Sequence, residues 1–292
     1  MNSIEFLDEV KSSAICPDNF EKIYAEFQVF QKAALDTLNE IHRVCEKNSV
    51  PYQLQYGSLL GLVRDGGQIP WDYDIDIIVP YEQKGNLIAA LKKDLDPDFY
   101  FYCPETDKTC RHMIMRVAPV EYNTAALHVD IFFFIGTPEE ESERVQYAQR
   151  VKDLSDIRFN KLVKIKEISL GDPVKALKAF LRLKLPTLLT NAQSIQQEYD
   201  TLCSAYSSSK STYCVSADTF ATWKYVPSAL LWETKLVECD YGTVRIPVHY
   251  EKLLELFYGD YKAVPPLESR INEVLKYHKT ITTLQTGTKY QK

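Results

Sequence analysis

The chain has 292 residues, with 34 lysines and arginines against 40 aspartates and glutamates and a formal net charge of −6. That balance lacks the basic footprint of a general nucleic-acid binder, so no nucleic-acid partner is expected, and an anionic substrate must be held by local cations or metal ions. Its 45% hydrophobic and 25% charged residues are ordinary globular usage, and no apolar run approaches the roughly 20 residues that span a bilayer.

The opening stretch MNSIEFLDEVKSSAICPDNF carries acids and no basic-then-apolar signal pattern. From Phe20 to Lys47, apolar residues at Phe27, Phe30, Ala34, Leu38, Ile41 and Cys45 draw one stripe on a helix. Pro51 breaks it, and YQLQY reads as a short strand with Tyr52, Leu54 and Tyr56 on one face. Gly57 and Ser58 follow, and SLLGLVR reads as a short helix with Ser58 at its N-cap. The turn DGGQIP leads to Trp71 and three alternating aspartates, and IDIIV is a strand. Residues 81–95 read as helix, and strands are expected at 99–103, 111–118 and 127–135.

Beyond residue 138 the pattern turns largely helical, at 139–159, 174–185 and 192–207. Short strands near Val237 and Val244, after Trp223, then precede a helix at 249–258, and the tail from Thr280 reads as frayed. The fold class is therefore α/β in the α+β sense. A core with a small mixed sheet spans 1–138, and a helical and mixed substrate-binding part spans 139–292. Seven cysteines, an odd number with no CxxC pair, suit a reducing cytoplasm. Cys103, Cys110 and His112 offer three zinc ligands without an evident fourth; three unrelated residues around a strand is the stronger reading.

The aspartates carry the chemistry. On a strand Asp74 and Asp76 point one way while Ile75, Ile77 and Val79 face the core. Two partly buried carboxylates so close repel each other, and magnesium or manganese would remove that penalty. A solvated acidic turn is the simplest alternative. An EF-hand loop fails, because Ile77 takes the required glycine position and Gln83 the twelfth. The acidic motif of a sugar-nucleotide glycosyltransferase usually follows a longer nucleotide-binding unit than 70 residues provide here. A strand ending in Gly57-Ser58, a helix, a strand with two alternating acids and a later strand carrying Asp130 follow the nucleotidyltransferase-fold pattern. Gly57 and Ser58 would supply phosphate donors at the helix start.

The stretch YGSLLGLVRDGGQIPWDYDIDIIV resembles the signature of the LicD family, related to fukutin and fukutin-related protein. Gly57, Ser58, Leu59, Leu60, Gly61, Arg64, Ile69, Pro70, Trp71, Asp72, Asp74 and Asp76 match it. HVDIFFF and VECDYGTVRIPVHYEKLLELFYGDYKAVPPLESR resemble two further family blocks. This sequence departs from the pattern where Tyr241 is inserted between Asp240 and Gly242, and where Tyr73 replaces an acid; residues 139–215 match only loosely.

The resemblance implies metal-dependent transfer of a phospho-alcohol group, phosphocholine or ribitol phosphate, from a CDP-activated donor to a glycan hydroxyl. Bacterial members act on cell-surface polymers such as teichoic acid or lipopolysaccharide glycans. Asp74, Asp76 and Asp130 are then expected to hold one or two magnesium ions, with Asp130 also a proton acceptor. Asp72 either joins the ligands or caps the turn. Arg64 and Arg116 are expected at phosphates, against an ion pair of Arg64 with Asp65 or Asp72 and a surface position for Arg116. Trp71 reads as a packing anchor and His128 as a structural neighbour of Asp130. The rival enzyme reading moves a nucleoside monophosphate from a triphosphate to a small acceptor, and a third reading is a non-catalytic binding module.

Between the halves, DPVKALKAFLRLKLP sets Lys175, Lys178, Arg182 and Lys184 beside Val174, Leu177, Phe180, Leu181 and Leu185 at helical spacing. An ordinary surface helix is one reading. The other is peripheral contact of 173–186 with the inner face of a membrane, which suits a lipid-linked glycan acceptor.

Overall fold

In the computed structural model, which describes residues 1–123, 125–165, 172–218 and 224–285, the longest element is a helix, α2 (Phe20–Lys47). Phe27, Gln31, Ala34, Leu38, Ile41 and Cys45 are buried at alternating steps of four and three, so a single stripe is covered along much of its length. A helix that the sequence reading did not mark, α1 (Ser3–Ser12), precedes it. It starts at a capping box in which the Asn2 side chain accepts from the Glu5 amide and Glu5 accepts from the Asn2 amide.

The central sheet runs β1 (Gln53–Leu54), β2 (Ile75–Pro80), β5 (Val129–Gly136), β4 (Met115–Pro119), β3 (Phe99–Tyr102). β2 and β5 are parallel, joined by a crossover that holds α4 (Lys84–Asp94); the other pairs are antiparallel. Past residue 138 the chain makes α5 (Glu141–Leu162), α6 (Pro173–Ala179) and α7 (Ala192–Cys203). It then returns to the same sheet: β6 (Tyr213–Ser216) pairs with the end of β5, and β7 (Val226–Pro227) with β6. The expected division near 138 therefore falls between β5 and α5, with a strand on either side sharing one sheet. A separate hairpin, β8 (Thr234–Cys239) and β9 (Gly242–Pro247), leads to α8 (Tyr250–Tyr258) and α9 (Leu267–Gln285).

Both faces of the sheet are covered. Ile75, Ile77, Val79, Val129, Ile131 and Phe133 enter the larger core with α2. Ile78, Phe132 and Phe134 enter a smaller cluster with Leu253 of α8. Alternation then puts Asp76 and Asp130 on the smaller-core face, at the end of it that the two strands reach first.

Several elements differ in extent from the expectation. The helix after β1, α3 (Tyr56–Asp65), begins at Tyr56, whose φ of 50° is left-handed, so Tyr56 is not a strand residue and Ser58 is not the N-cap. The strand expected from 111 has its ladder only from Met115. The helix expected to Ser207 stops at Cys203, and the tail stays helical to Gln285. Trp223 and the last seven residues lie outside the described residues.

Candidate active site

The acidic loop between α3 and β2 is fastened to α2 by its backbone. Gln31 Nε2 donates to the carbonyls of Ile69 (3.1 Å) and Asp72 (2.7 Å), and the Tyr24 hydroxyl to that of Pro70 (3.0 Å). Trp71 is buried against Phe6, ring centroids 5.3 Å apart, with the guanidinium groups of Arg64 and Arg270 5.5 and 5.1 Å from its ring. It is the packing anchor the sequence suggested. α3 crowds the same loop: a Cβ at Gly61 would lie 2.6 Å from the Gly67 carbonyl oxygen.

Arg64 lies in an ion pair. Its Nη2 lies 2.8 Å from Oδ2 of Asp65 and its Nη1 3.3 Å from the Ala263 carbonyl. The Asp65 side chain is only 1% exposed, so burial demands a counter-charge, and Arg64 supplies it together with the Met1 amino group at 3.3 Å. Of the two readings open for Arg64, the ion pair is the one observed.

Asp72 caps its own turn, its Oδ1 accepting the Asp74 amide (3.1 Å). Its Oδ2 would stand 3.3 Å from a Cβ at Gly57, so the missing side chain there leaves the carboxyl its room. Tyr73 is buried edge-on to Phe27 and Tyr277. The Asp76 amide donates to Ser58 Oγ (2.8 Å) and its carbonyl accepts from Gln55 (3.0 Å). Ser58 thus ties α3 to β2 instead of capping α3. From the tip of the β8–β9 hairpin, the Tyr241 hydroxyl donates to the Ser58 carbonyl (3.2 Å) and pins the same point.

Strand register brings the third acid in. Asp76 pairs with Asp130 across the parallel strands, and Asp130 with Arg116 across the antiparallel ones. Arg116 Nε is 2.9 Å, and His128 Nε2 3.3 Å, from Asp130 Oδ1. Arg116 is therefore not a surface arginine: its Nε is the partner of Asp130. Among the described residues, His128 Nδ1 is buried with no hydrogen-bond partner.

Charge divides these four acids. Burial, then the neighbouring Asp72, pushes Asp74 up to about 7. Burial, then Asp130, Asp74 and Asp72, holds Asp76 well above the carboxylate range, and burial raises Asp72 to about 6. For Asp130 burial works the same way, but His128 and Arg116 outweigh it and keep the carboxyl well below its usual range. Tyr56, Tyr258 and Tyr277 are pushed up by burial and then by the same aspartates. Asp218, just past β6, is buried and adds its charge to Tyr56 and Arg116. Tyr56, Tyr277 and Asp218 were not marked from the sequence. Tyr56 had the clearest signal, next to Gly57; Asp218 had none, since only the return of β6 brings it here.

The donor chemistry suits a hard divalent cation: hard oxygen ligands whose negative charges raise one another's pKa. Their placement is less complete, since no three His, Cys, Asp or Glu side chains among the described residues stand where they could hold a metal ion. Asp130 is turned to Arg116 and His128 instead. The zinc candidates are occupied otherwise: the Cys110 thiol donates to the His112 carbonyl (3.4 Å), and burial pushes it up to about 12.

Residues 49–165 match the family model described as LicD/FKTN/FKRP, nucleotidyltransferase domain. The chain is 22% identical over 258 residues to the lipopolysaccharide cholinephosphotransferase LicD of Haemophilus influenzae, covering 82% of this chain and 92% of that protein. It is 44% identical over 55 residues to the ribitol 5-phosphate transferase FKRP of Homo sapiens, 19% of this chain and 11% of that one.

Proposed function

We propose, from the match of residues 49–165 to the LicD/FKTN/FKRP nucleotidyltransferase model, that this chain moves a phospho-alcohol group from a CDP-activated donor to a hydroxyl of a glycan acceptor. The group is phosphocholine or a similar phospho-polyol, and the acceptor a cell-surface glycan or a teichoic-acid-type polymer, used at the cytoplasmic side. One observation carries the reading: similarity to the cholinephosphotransferase runs over 92% of that protein, well beyond the shared domain.

The acceptor oxygen attacks the phosphorus that bears the alcohol. The new O–P bond forms as the pyrophosphate bridge breaks, CMP leaves with the bridging oxygen, and the acceptor proton passes to a base. Gly57 and Ser58 would offer amides to phosphate oxygens at the start of α3. A divalent cation, magnesium or manganese, would neutralise the pyrophosphate and the leaving CMP, and Asp74, Asp76 and Asp130, with Asp72 beside them, are the residues to hold it. Arg116 and His128 keep Asp130 ionised, which suits a ligand and weakens it as the proton acceptor the sequence reading offered. Arg64 acts at one remove, fixing the Trp71 loop.

The description of the family as nucleotidyltransferase favours one rival, transfer of a nucleoside monophosphate from a triphosphate. The two differ in the leaving group. Purified protein with magnesium and a panel of CDP-alcohols should release CMP in the presence of acceptor. Release of pyrophosphate from a nucleoside triphosphate, with the CDP-alcohols untouched, replaces the proposal with the rival. Donor binding without turnover makes the chain a binding module.

A further inference from the structure

From Pro173 to Thr187 the chain is continuously helical: α6 runs into a wider-turned stretch at Phe180–Lys184 and a tighter turn at Leu185–Thr187. This arm rests on α5, Lys161 Nζ donating to the Thr187 carbonyl (3.0 Å) and Lys184 Nζ to the Lys161 carbonyl. The side chains it buries are small, Ala179 and Thr187. The large ones point away. Val174 and Leu177 are each 60% exposed, Leu181 52%, Leu185 50% and Leu188 55%. Steps of three, four, four and three make them one stripe, and Phe180 and Leu189 widen it.

Amphipathic surface helices turn such a stripe inward; this one turns it to solvent. Seven of the seventeen large hydrophobic residues exposed among the described residues fall within 174–189. Scattered apolar residues need no explanation, whereas a contiguous patch of this kind marks a contact surface. Lys175, Lys178 and Arg182 stand exposed beside the stripe. Lys175 approaches Asp172 only to 4.0 Å, and among the described residues Lys178 and Arg182 have no acidic partner. Three such cations invert the local charge of a chain whose net charge is −6.

We propose that this face docks on an anionic lipid surface, lying in the plane of the interface. Val174, Leu177, Leu181 and Leu185 enter the acyl boundary, and Lys175, Lys178 and Arg182 sit among the headgroups. Charge complementarity selects this occupant. A second copy seated on the same face would oppose three cations with three cations. Among the described residues no helix is long and apolar enough to cross a membrane, so the attachment is peripheral. The proposal does not rest on the reaction assigned above.

Co-sedimentation of the full chain with phosphatidylcholine vesicles, with and without phosphatidylglycerol, tests it. Wild type should pellet with the anionic vesicles and stay in solution with the neutral ones. Lys175→Glu, Lys178→Glu and Arg182→Glu together should weaken binding at least about tenfold. Leu177→Ser with Leu181→Ser should abolish it, with thermal melting of both variants unchanged because the replaced side chains are exposed. Equal binding by all three proteins overturns the proposal. So does wild type that ignores anionic vesicles but elutes as a dimer, or with an acidic protein, and loses that state on Leu181→Ser.

Discussion

The acid-bearing ends of β2 and β5 and the arm from Pro173 to Thr187 depart from ordinary burial in opposite senses. At the sheet, ionisable groups are drawn inward, and protein atoms answer them in part: Arg116 and His128 hold Asp130 and Asp72 accepts the Asp74 amide, while the Asp76 carboxyl faces only like charges. On the arm, large apolar groups are turned outward, and none of the described residues buries them. A departure answered in part by protein atoms leaves its remaining charge to a small ligand. An uncompensated departure leaves its stabilisation to an extended partner.

The largest expected effect attacks the first region where its charges are least satisfied. Asp76→Asn should lower CMP release by about 10²-fold or more, the loss typical of removing one aimed electrostatic group. The metal-free variant should melt no lower than wild type, because one of several repelling carboxyls is gone. Full activity would break the assignment of the acids. Next in size, Trp71→Ala empties a packed site under Phe6 and should cost about 3–5 kcal/mol in urea unfolding; under 1 kcal/mol would show that the acidic loop holds its shape by other means.

Proton linkage separates the regions more gently. Burial, then Arg116 and Arg111, pushes His112 down to about 3. The unfolded chain takes up this proton near 6.5 and the folded one only near 3, so between those values the unfolded state binds more protons and stability falls as the pH is lowered. The stability of wild type relative to His112→Gln should therefore be constant above pH 6.5 and decline below it. A flat difference across that window would put a proton on the folded imidazole. The smallest effect belongs to the arm: Leu177→Ser or Leu181→Ser should change unfolding free energy by no more than about 0.5 kcal/mol. A cost above about 2 kcal/mol would mean that the stripe is packed after all.

What the sequence shows and hides follows from range. The Asp72, Asp74 and Asp76 alternation, the strand behind it, Trp71 as anchor and the stripe of α2 are local patterns, and all were legible. So was the LicD resemblance, carried by closely spaced residues. The roles of Arg116, Ser58 and Arg64 were not, because each is decided by a partner whose position depends on register or packing. Arg116 meets Asp130 only when β4 pairs antiparallel with β5. Ser58 looked like a helix cap because Ser before an apolar run usually is one; Gln55 and Tyr56 take the start of the helix instead. β6 is four residues long, too short for a period to show, and with it Asp218 stayed hidden. For the arm the sequence read cations and apolar residues on one helix and left a surface helix and membrane contact both open; the exposure of the apolar side comes from packing.

Trp71 lies between Phe6 of α1 and the guanidinium of Arg270 in α9, and Arg270 in turn grips both carboxyl oxygens of Glu9. During synthesis these parts do not arrive together. At about 5–20 residues per second, Arg270 is added roughly 10–40 s after Trp71. A growing chain that already carries every acid of the centre still lacks the clasp over the loop that presents three of them. Ribosome-bound chains halted short of α9 should therefore show a protease-sensitive loop around Trp71, closed only once α9 has been added.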